Sequence, residues 1–300
     1  MLSIFNALAP LVVIVLVGVF LKIKVAKESW SGVLNGVALY LLFPALILKG
    51  ITQVEVATFN DFKFIIINFI LLLSTIFSLI VFGRFLKLKQ EIANSYVIAV
   101  FFGNIGYLGF PIISSLYSGA EPIISIHIAI YTLLLFSVVV AYLEYSKRGV
   151  LSKKVFLDGL KNPLLISVII SLILVIFNIK LPYFLEKSIY TLADGATPTV
   201  LIALGIFLAQ KLPKIDLKHL AGITILKLIV VPTLFLLVLQ FYHTKAFEIS
   251  VLEAAMPVAI TPFVLADIYN LDKNLIAASI VVSSILSLFT LPLFILAVGG

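Results

Sequence analysis

The chain has 300 residues, of which 62% are hydrophobic and only 12% are charged. A soluble domain is usually about 45–50% apolar and about 25% charged, so the composition excludes a soluble protein and indicates one embedded in a bilayer. The chain has no cysteine, which excludes disulfides, thiolate metal sites and thiol catalysis. The net charge of +7 is better explained by basic loops on one membrane side than by a nucleic-acid partner.

Ten apolar segments follow one another, each long enough to span a bilayer. Most lysines and arginines lie in the loops that follow the odd-numbered segments, and the positive-inside rule places those loops in the cytoplasm. We therefore predict a multi-pass protein of the cell membrane with both termini extracellular. In chain order the segments cover about residues 4–21, 30–48, 64–83, 92–116, 123–143, 163–179, 188–209, 220–241, 249–268 and 275–298.

The fourth segment contains an unusual run, Gly103–Pro111, with three glycines and a proline. Such a run disfavours a continuous helix, because glycine is flexible and proline removes a hydrogen-bond donor. Inside lipid an open backbone is tolerated only where protein or a water-filled cavity satisfies it. The run therefore predicts a broken helix that lines a site. The alternative is a kinked helix whose glycines allow close packing.

The two halves of the chain carry prolines in corresponding segments. Pro44 in the second segment matches Pro198 in the seventh, and Pro111 in the fourth matches Pro257 and Pro262 in the ninth. Five spans per half is an odd number, so the second half must enter the membrane inverted. The predicted fold is an all-α membrane protein of ten helices in two inverted repeats, as in many secondary transporters. The predicted divisions are a first repeat at 1–146, a cytoplasmic connector at 147–162 and a second repeat at 163–300.

These motifs resemble those of the auxin efflux carrier family, the PIN-like transporters with their bacterial and archaeal relatives. The resemblance implies a scaffold of helices 1, 2, 6 and 7 and a transport domain of helices 3–5 and 8–10, in which broken helices 4 and 9 cross. It also implies an elevator motion and a homodimer formed through the scaffold. The residues that carry it are Asn35 with Pro44, Gly103–Pro111, Asn162–Pro163, Asp194–Pro198, Lys227 with Pro232, Ala255–Ala259 and Val264–Ala266.

Asn104 and Thr261 are the first candidates for substrate contact, because each follows or lies beside a predicted helix break. A broken helix exposes backbone N–H groups that suit a carboxylate, and the Asn104 amide adds a donor without adding a charge. The alternative for both side chains is an interhelical hydrogen bond. Further candidates around the substrate are Gly103, Ile105, Gly106, Val258, Asn35 and Tyr131, with Pro111, Pro257 and Pro262 shaping the crossover.

Three ionisable residues are candidates for coupling. Lys227 is the only lysine within a span, and it either serves coupling, reaches the cytoplasmic surface with its ammonium or pairs with a carboxylate. Asp194 either binds a coupling cation or caps a broken helix, and the cap is favoured. His127 either titrates or, as is more common, packs with a hydrogen bond. Glu253 and Asp267 fall close to the predicted ends of the ninth span, where we expect them to be solvated.

The sequence thus favours a secondary transporter for a small organic anion, auxin-like or a dicarboxylate, with no cofactor or metal. The alternative is a sodium-coupled bile-acid-type symporter of the same ten-helix layout. The chain is not expected to be an enzyme, because it has no clustered histidines and no arrangement of nucleophile and base at membrane depth. A channel is disfavoured because the spans lack a continuous polar face.

Overall fold

The computed structural model describes residues 2–52, 62–150, 161–209 and 215–299. Within these ranges the chain is α-helical and forms no β-strand, which confirms the all-α class. Six of the described helical segments are long and apolar enough to cross a membrane, namely Ser29–Thr52, Lys63–Phe85, Glu121–Arg148, Tyr183–Leu208, Leu217–Leu239 and Lys273–Gly299. Two shorter apolar helices are Ile105–Leu116 and Pro163–Ile176.

The α-helices are numbered here in chain order. They are α1 (Leu2–Lys24), α2 (Glu28–Val37), α3 (Phe43–Thr52), α4 (Phe62–Phe85), α5 (Gln90–Phe101), α6 (Phe110–Leu116), α7 (Glu121–Leu134), α8 (Val140–Arg148), α9 (Pro163–Ile176), α10 (Tyr183–Asp194), α11 (Ala196–Leu208), α12 (Leu217–Ile225), α13 (Val231–Leu239), α14 (Lys245–Ala254), α15 (Thr261–Tyr269) and α16 (Lys273–Gly299). Wide turns of the π type lie at Ala38–Leu42, Ile105–Gly109, Leu135–Val139 and Leu226–Val230.

Three of these wide turns end two residues before a proline, at Pro44, Pro111 and Pro232. Proline has no N–H to donate and its ring crowds the preceding turn, so the backbone widens there. Pro44 therefore distorts its segment without ending it, because α3 continues directly from the wide turn. In the seventh span the chain breaks instead at Gly195, between α10 and α11.

Two compact units divide the chain. Unit 1 comprises Met1–Asp61, Gly106–Thr132 and Leu160–Lys211, and unit 2 comprises Phe62–Ile105, Leu133–Gly159 and Leu212–Gly300. Each unit thus contains pieces from both halves of the sequence. Unit 1 includes Gly106–Thr132, which the family resemblance assigns to the transport domain.

Unit 1 is built around a close contact between α1 and α11. Gly18 and Gly205 face each other there, and a Cβ atom on Gly205 would lie 2.8 Å from the Gly18 Cα atom and overlap the Val15 carbonyl oxygen. Small residues allow two helix backbones to approach closely, and in a membrane such packing drives helix association. These glycines therefore set the distance between α1 and α11.

Unit 2 is organised around the long helix α16, which packs against α5, α12, α13, α14 and α15. Its buried face is unusually rich in serine, with Ser279, Ser283, Ser284 and Ser287 all at least nine-tenths buried. The small side chains let neighbouring backbones approach, and the hydroxyls offer hydrogen bonds where lipid offers none. One of them reaches the interrupted backbone of the candidate site.

Candidate functional site

Two helices of unit 2 stop inside the unit rather than at its surface. Helix α5 ends at Phe101, and Phe102 is extended, with φ −94° and ψ 97°. Helix α14 ends at Ala254, a few residues before Pro257, and α15 begins at Thr261. Glycine after the first stop and proline after the second explain locally why neither helix continues.

The two interrupted backbones pair with each other. The Asn104 N–H donates to the Pro257 carbonyl oxygen at 2.7 Å, and the Ala259 N–H donates to the Phe102 carbonyl oxygen at 3.1 Å. Between these bonds Gly103 and Val258 form an isolated antiparallel bridge. Main-chain groups at membrane depth must be satisfied within the protein, and this exchange does so. The four predicted residues Gly103, Asn104, Pro257 and Val258 are therefore brought together.

A serine of α16 completes the crossover. The Ser283 hydroxyl accepts a hydrogen bond from the Val258 N–H at 3.0 Å, and both residues are fully buried. The side chain thus satisfies a donor that the interrupted helix leaves free. Nothing in the spacing of the serines along α16 identified this contact from the sequence.

Lys227 lies in the wide turn Leu226–Val230, and its side chain is fully buried. Its Nζ atom donates to the Ala254 carbonyl oxygen at 3.1 Å, at the end of α14. A Cβ atom on Gly103 would lie 2.8 Å from the same Nζ atom. The interpretation that Lys227 extends to the cytoplasmic surface is therefore wrong, because the wide turn directs the ammonium to the crossover.

Asn104 is nearly fully buried, with 2% of its surface exposed. Its main-chain N–H is used in the crossover, but its Nδ2 atom has no hydrogen-bond acceptor among the described residues. A buried amide without an acceptor costs free energy, and such a group in a binding site is a candidate ligand donor. Lys227 therefore brings an ammonium donor to Gly103, and the next residue, Asn104, carries a buried amide donor.

The remaining predicted residues of unit 2 follow the crossover along the chain. Pro262 is buried within the first turn of α15, and Thr261 is half-buried where that helix begins. Ile105 is buried and is the last residue of unit 2 on its side of the crossover. The side chains of Val264 and Asp267 lie outside the described part of the structure.

Glu253 is the residue of this site that the sequence analysis placed wrongly. It lies in the last turn of α14 and is fully buried, whereas we expected it to be solvated near a span end. The reason is that α14 ends within unit 2, so a residue near the end of this helix is not near the membrane surface. The available signal was its position four residues before Pro257, which places it at the break itself.

The remaining candidates belong to unit 1. Gly106 lies against the Phe43 ring, to which an added Cβ atom would come within 3.3 Å, and Pro111 is buried in α6. Asn35 donates from Nδ2 to the Ser31 hydroxyl at 3.4 Å. Tyr131 is fully buried. None of these observations connects these four residues to the crossover in unit 2.

Two candidates for coupling in unit 1 have local roles. The Asp194 Oδ1 atom pairs with Lys49 Nζ at 2.6 Å, while α11 begins without any side-chain cap. The predicted cap by Asp194 is therefore wrong, because Lys49 on α3 offers the carboxylate a charged partner. The buried His127 places Nδ1 3.2 Å from the Ile123 carbonyl oxygen, one turn earlier in α7. This is the packing role that the sequence favoured for a histidine within a helix.

Interrupted helices that meet at membrane depth are a feature of many membrane transporters. The profile of the membrane transport protein family matches residues 3–295, and the chain belongs to this family, which includes the auxin efflux carriers. The described residues contain no group of three or more histidine and acidic side chains that could hold a metal ion.

Three relatives illustrate the family. An uncharacterized transporter of Methanocaldococcus jannaschii is 28% identical over 295 residues, covering 94% of each chain. A Rhizobium meliloti protein named for malonate transport is 28% identical over 274 residues, covering 86% of this chain and 84% of the other. Auxin efflux carrier component 8 of Arabidopsis thaliana is 31% identical over 115 residues, covering 37% of this chain and 31% of the carrier. These relatives are transporters rather than enzymes, and the resemblance noted in the sequence is confirmed.

Proposed function

We propose that this protein is a secondary carrier for a small carboxylate anion. The observation that carries the proposal is the pair of donors at the crossover, the Asn104 Nδ2 atom and the buried Lys227 ammonium. A carboxylate accepts several hydrogen bonds, and bonds to a charged donor are the stronger ones. A dehydrated anion would compensate the cost of a buried positive charge in the same step.

The names of two relatives agree with this chemistry. One is named for malonate and the other for auxin, and both ligands carry a carboxylate. We propose a small carboxylate as the shared feature, held by Asn104 and Lys227. Thr261 and Val258 would line the same site from the ninth span.

The proposed mechanism is an elevator in which unit 2 carries the substrate and unit 1 is the scaffold. Its support is that both interrupted helices meet within unit 2, so the crossover and its donors belong to one compact body. Unit 1 contains the tight α1–α11 contact expected of a static element. We further propose a homodimer through this scaffold in the cell membrane, with both termini outside, as the loop charges favour.

The test is charge movement by the purified protein in proteoliposomes on a solid-supported membrane. Malonate, malate and indole acetate are applied to the wild type, to Asn104→Ala and to Asn274→Ala, an exposed asparagine on α16. We expect a saturable current with at least one acid. Its apparent affinity should fall about tenfold in Asn104→Ala, as for loss of a hydrogen bond to a charged group.

The control Asn274→Ala should behave like the wild type. A wild-type current that persists unchanged in Asn104→Ala would reject the site but not the transport. If neither current nor labelled uptake occurs with any acid, the carboxylate proposal is wrong.

A sodium-coupled symporter is the second candidate, and one observation favours it. The buried oxygen atoms of unit 2 that have no hydrogen-bond partner among the described residues include Asn68 Oδ1, Thr224 Oγ1, Ser279 Oγ and Ser284 Oγ. Hard cations bind to sets of such oxygens. Sodium coupling predicts that the acid-induced current requires Na⁺, and a current independent of Na⁺ rejects it.

A further inference from the structure

Glu253 is an acidic side chain that substrate binding does not use. It is fully buried in the last turn of α14, directly before the stretch that forms the crossover. An ionised carboxylate at such depth is costly unless a positive charge compensates it or a proton neutralises it. Its charge is therefore tied to what else is charged at the crossover.

Lys227 is a second buried ionisable group, and its ammonium reaches the same turn of backbone. The Lys227 Nζ atom donates to the carbonyl oxygen of Ala254, the residue that follows Glu253. Both side chains are fully buried in unit 2. The ammonium and the acid are thus attached to one turn of backbone at the end of α14.

Among the described residues, the helices with the most extensive packing against α14 supply no other buried ionisable group. These are α4, α13 and α16. Helix α13 has no titratable residue, α4 has only Lys63 and Arg84 near its ends, and α16 has only Lys273 at its first position. Lys63 and Arg84 are exposed, and the Lys273 ammonium lies over the Phe263 ring at 4.9 Å. Among the described residues, Lys227 is therefore the buried basic group that reaches the turn carrying Glu253.

We propose that Glu253 is the proton-binding group that couples anion transport to proton movement. The inference rests on the proposed function. When the anion binds, the Glu253 carboxylate takes one proton from water on that side of the membrane, and the Lys227 ammonium then compensates the anion. When the anion leaves, Glu253 gives the proton to water on the other side and its carboxylate compensates Lys227 for the return.

This scheme keeps the charge of the crossover low in both directions. With a monoanion bound, the protonated acid, the ammonium and the anion sum to zero. Without the anion, the carboxylate and the ammonium again sum to zero. Moving an uncompensated charge through a low-dielectric region is costly, so both moving states avoid that cost. A dianion would move with one net negative charge per cycle.

The experiment uses labelled malonate and proteoliposomes whose membrane potential is clamped at zero with potassium and valinomycin. An inside-alkaline pH gradient should accelerate malonate uptake by the wild type severalfold. Protein-free liposomes under the same gradient give the background uptake. Entrapped pyranine should report acidification on malonate addition. Glu253→Gln mimics the protonated acid, and it should lose the stimulation and the acidification while malonate counterflow, which needs no net proton movement, continues.

Two further variants make the result specific. Glu248→Gln makes the same change in the first turn of α14 at a half-buried position, and it should retain coupling. Glu253→Asp keeps a titratable group and should also remain coupled, so it replaces the glutamine variant if that variant does not fold. If wild-type counterflow occurs but the pH gradient does not stimulate uptake, the inference is wrong and the proposed function stands. The same holds if the stimulation persists in Glu253→Gln. Absence of wild-type counterflow with malonate, malate and indole acetate alike overturns the proposed function, and this inference with it.

Discussion

The ammonium of Lys227 lies so close to Gly103 that a Cβ atom there would come within 2.8 Å of Nζ. Real Cβ atoms are essentially never so close to another heavy atom, so any side chain at position 103 must displace the lysine or the backbone. The absence of a side chain at Gly103 therefore leaves the space that the Lys227 ammonium occupies. This relationship leads directly to the first prediction.

Gly103→Ala should push the Lys227 ammonium away from the Ala254 carbonyl oxygen, which should destabilise the protein by about 1–3 kcal/mol and impair malonate transport. Gly32→Ala is the matched control, because a Cβ atom at Gly32 meets nothing within 4 Å. Alanine should be neutral or favourable within that helix. Thermal unfolding in detergent, monitored by size-exclusion chromatography, measures the difference in stability between the two variants. Equal stability and transport in the two variants would contradict the close contact.

Lys227→Met should abolish malonate-induced current. Methionine keeps most of the side-chain volume but removes the ammonium that is proposed to hold the anion. Lys218→Met, an exposed lysine on α12, is the control and should transport normally. A variant at position 227 that retains the wild-type current would show that the ammonium does not hold the anion.

Gly205→Val should reduce the yield and thermal stability of folded protein more strongly than a typical core substitution. The added atoms would overlap the Val15 carbonyl oxygen, and a main-chain atom cannot move aside like a flexible side chain. Typical overpacking costs about 1–3 kcal/mol, and a backbone overlap lies at or above that range. Gly36→Val places the same side chain where α2 leaves open space. Similar yields and thermal midpoints for the two variants would exclude a tight α1–α11 contact.

Asp194→Asn should change stability by less than about 1 kcal/mol and leave the ion dependence of transport unaltered. The ion pair with Lys49 has side chains that are 68% and 29% exposed, and water screens such a pair strongly. The measurement is the malonate current across pH and Na⁺ concentration. Loss of an ion dependence in this variant alone would restore Asp194 as a coupling residue.

The crossover could be located from the sequence because its cause is local. Gly103 and Pro257 each interrupt an apolar segment near its middle, and two interrupted segments in one membrane protein must satisfy each other's backbone. That these two interrupted segments meet follows from that requirement. The exact partners do not, because 153 residues separate Asn104 from Pro257 and no local pattern records the register.

The charged side chains could not be placed in the same way. Glu253 was assigned to the surface because span ends were inferred from hydropathy, which does not show that α14 ends inside unit 2. The direction of Lys227 depends on the wide turn before Pro232, which rotates the side chain relative to a regular helix. The partner of Asp194 is 145 positions away, on α3. Each of these placements depends on tertiary structure.

The main-chain exchange between Phe102–Asn104 and Pro257–Ala259 has an evolutionary consequence. Its two hydrogen bonds use only N–H and carbonyl groups. Side chains at Asn104 and Val258 can therefore be exchanged without removing the bonds that hold the interrupted helices together. Selection for a new substrate can act on those positions while the crossover itself persists. One fold can therefore occur in relatives that are named for ligands as different as malonate and auxin.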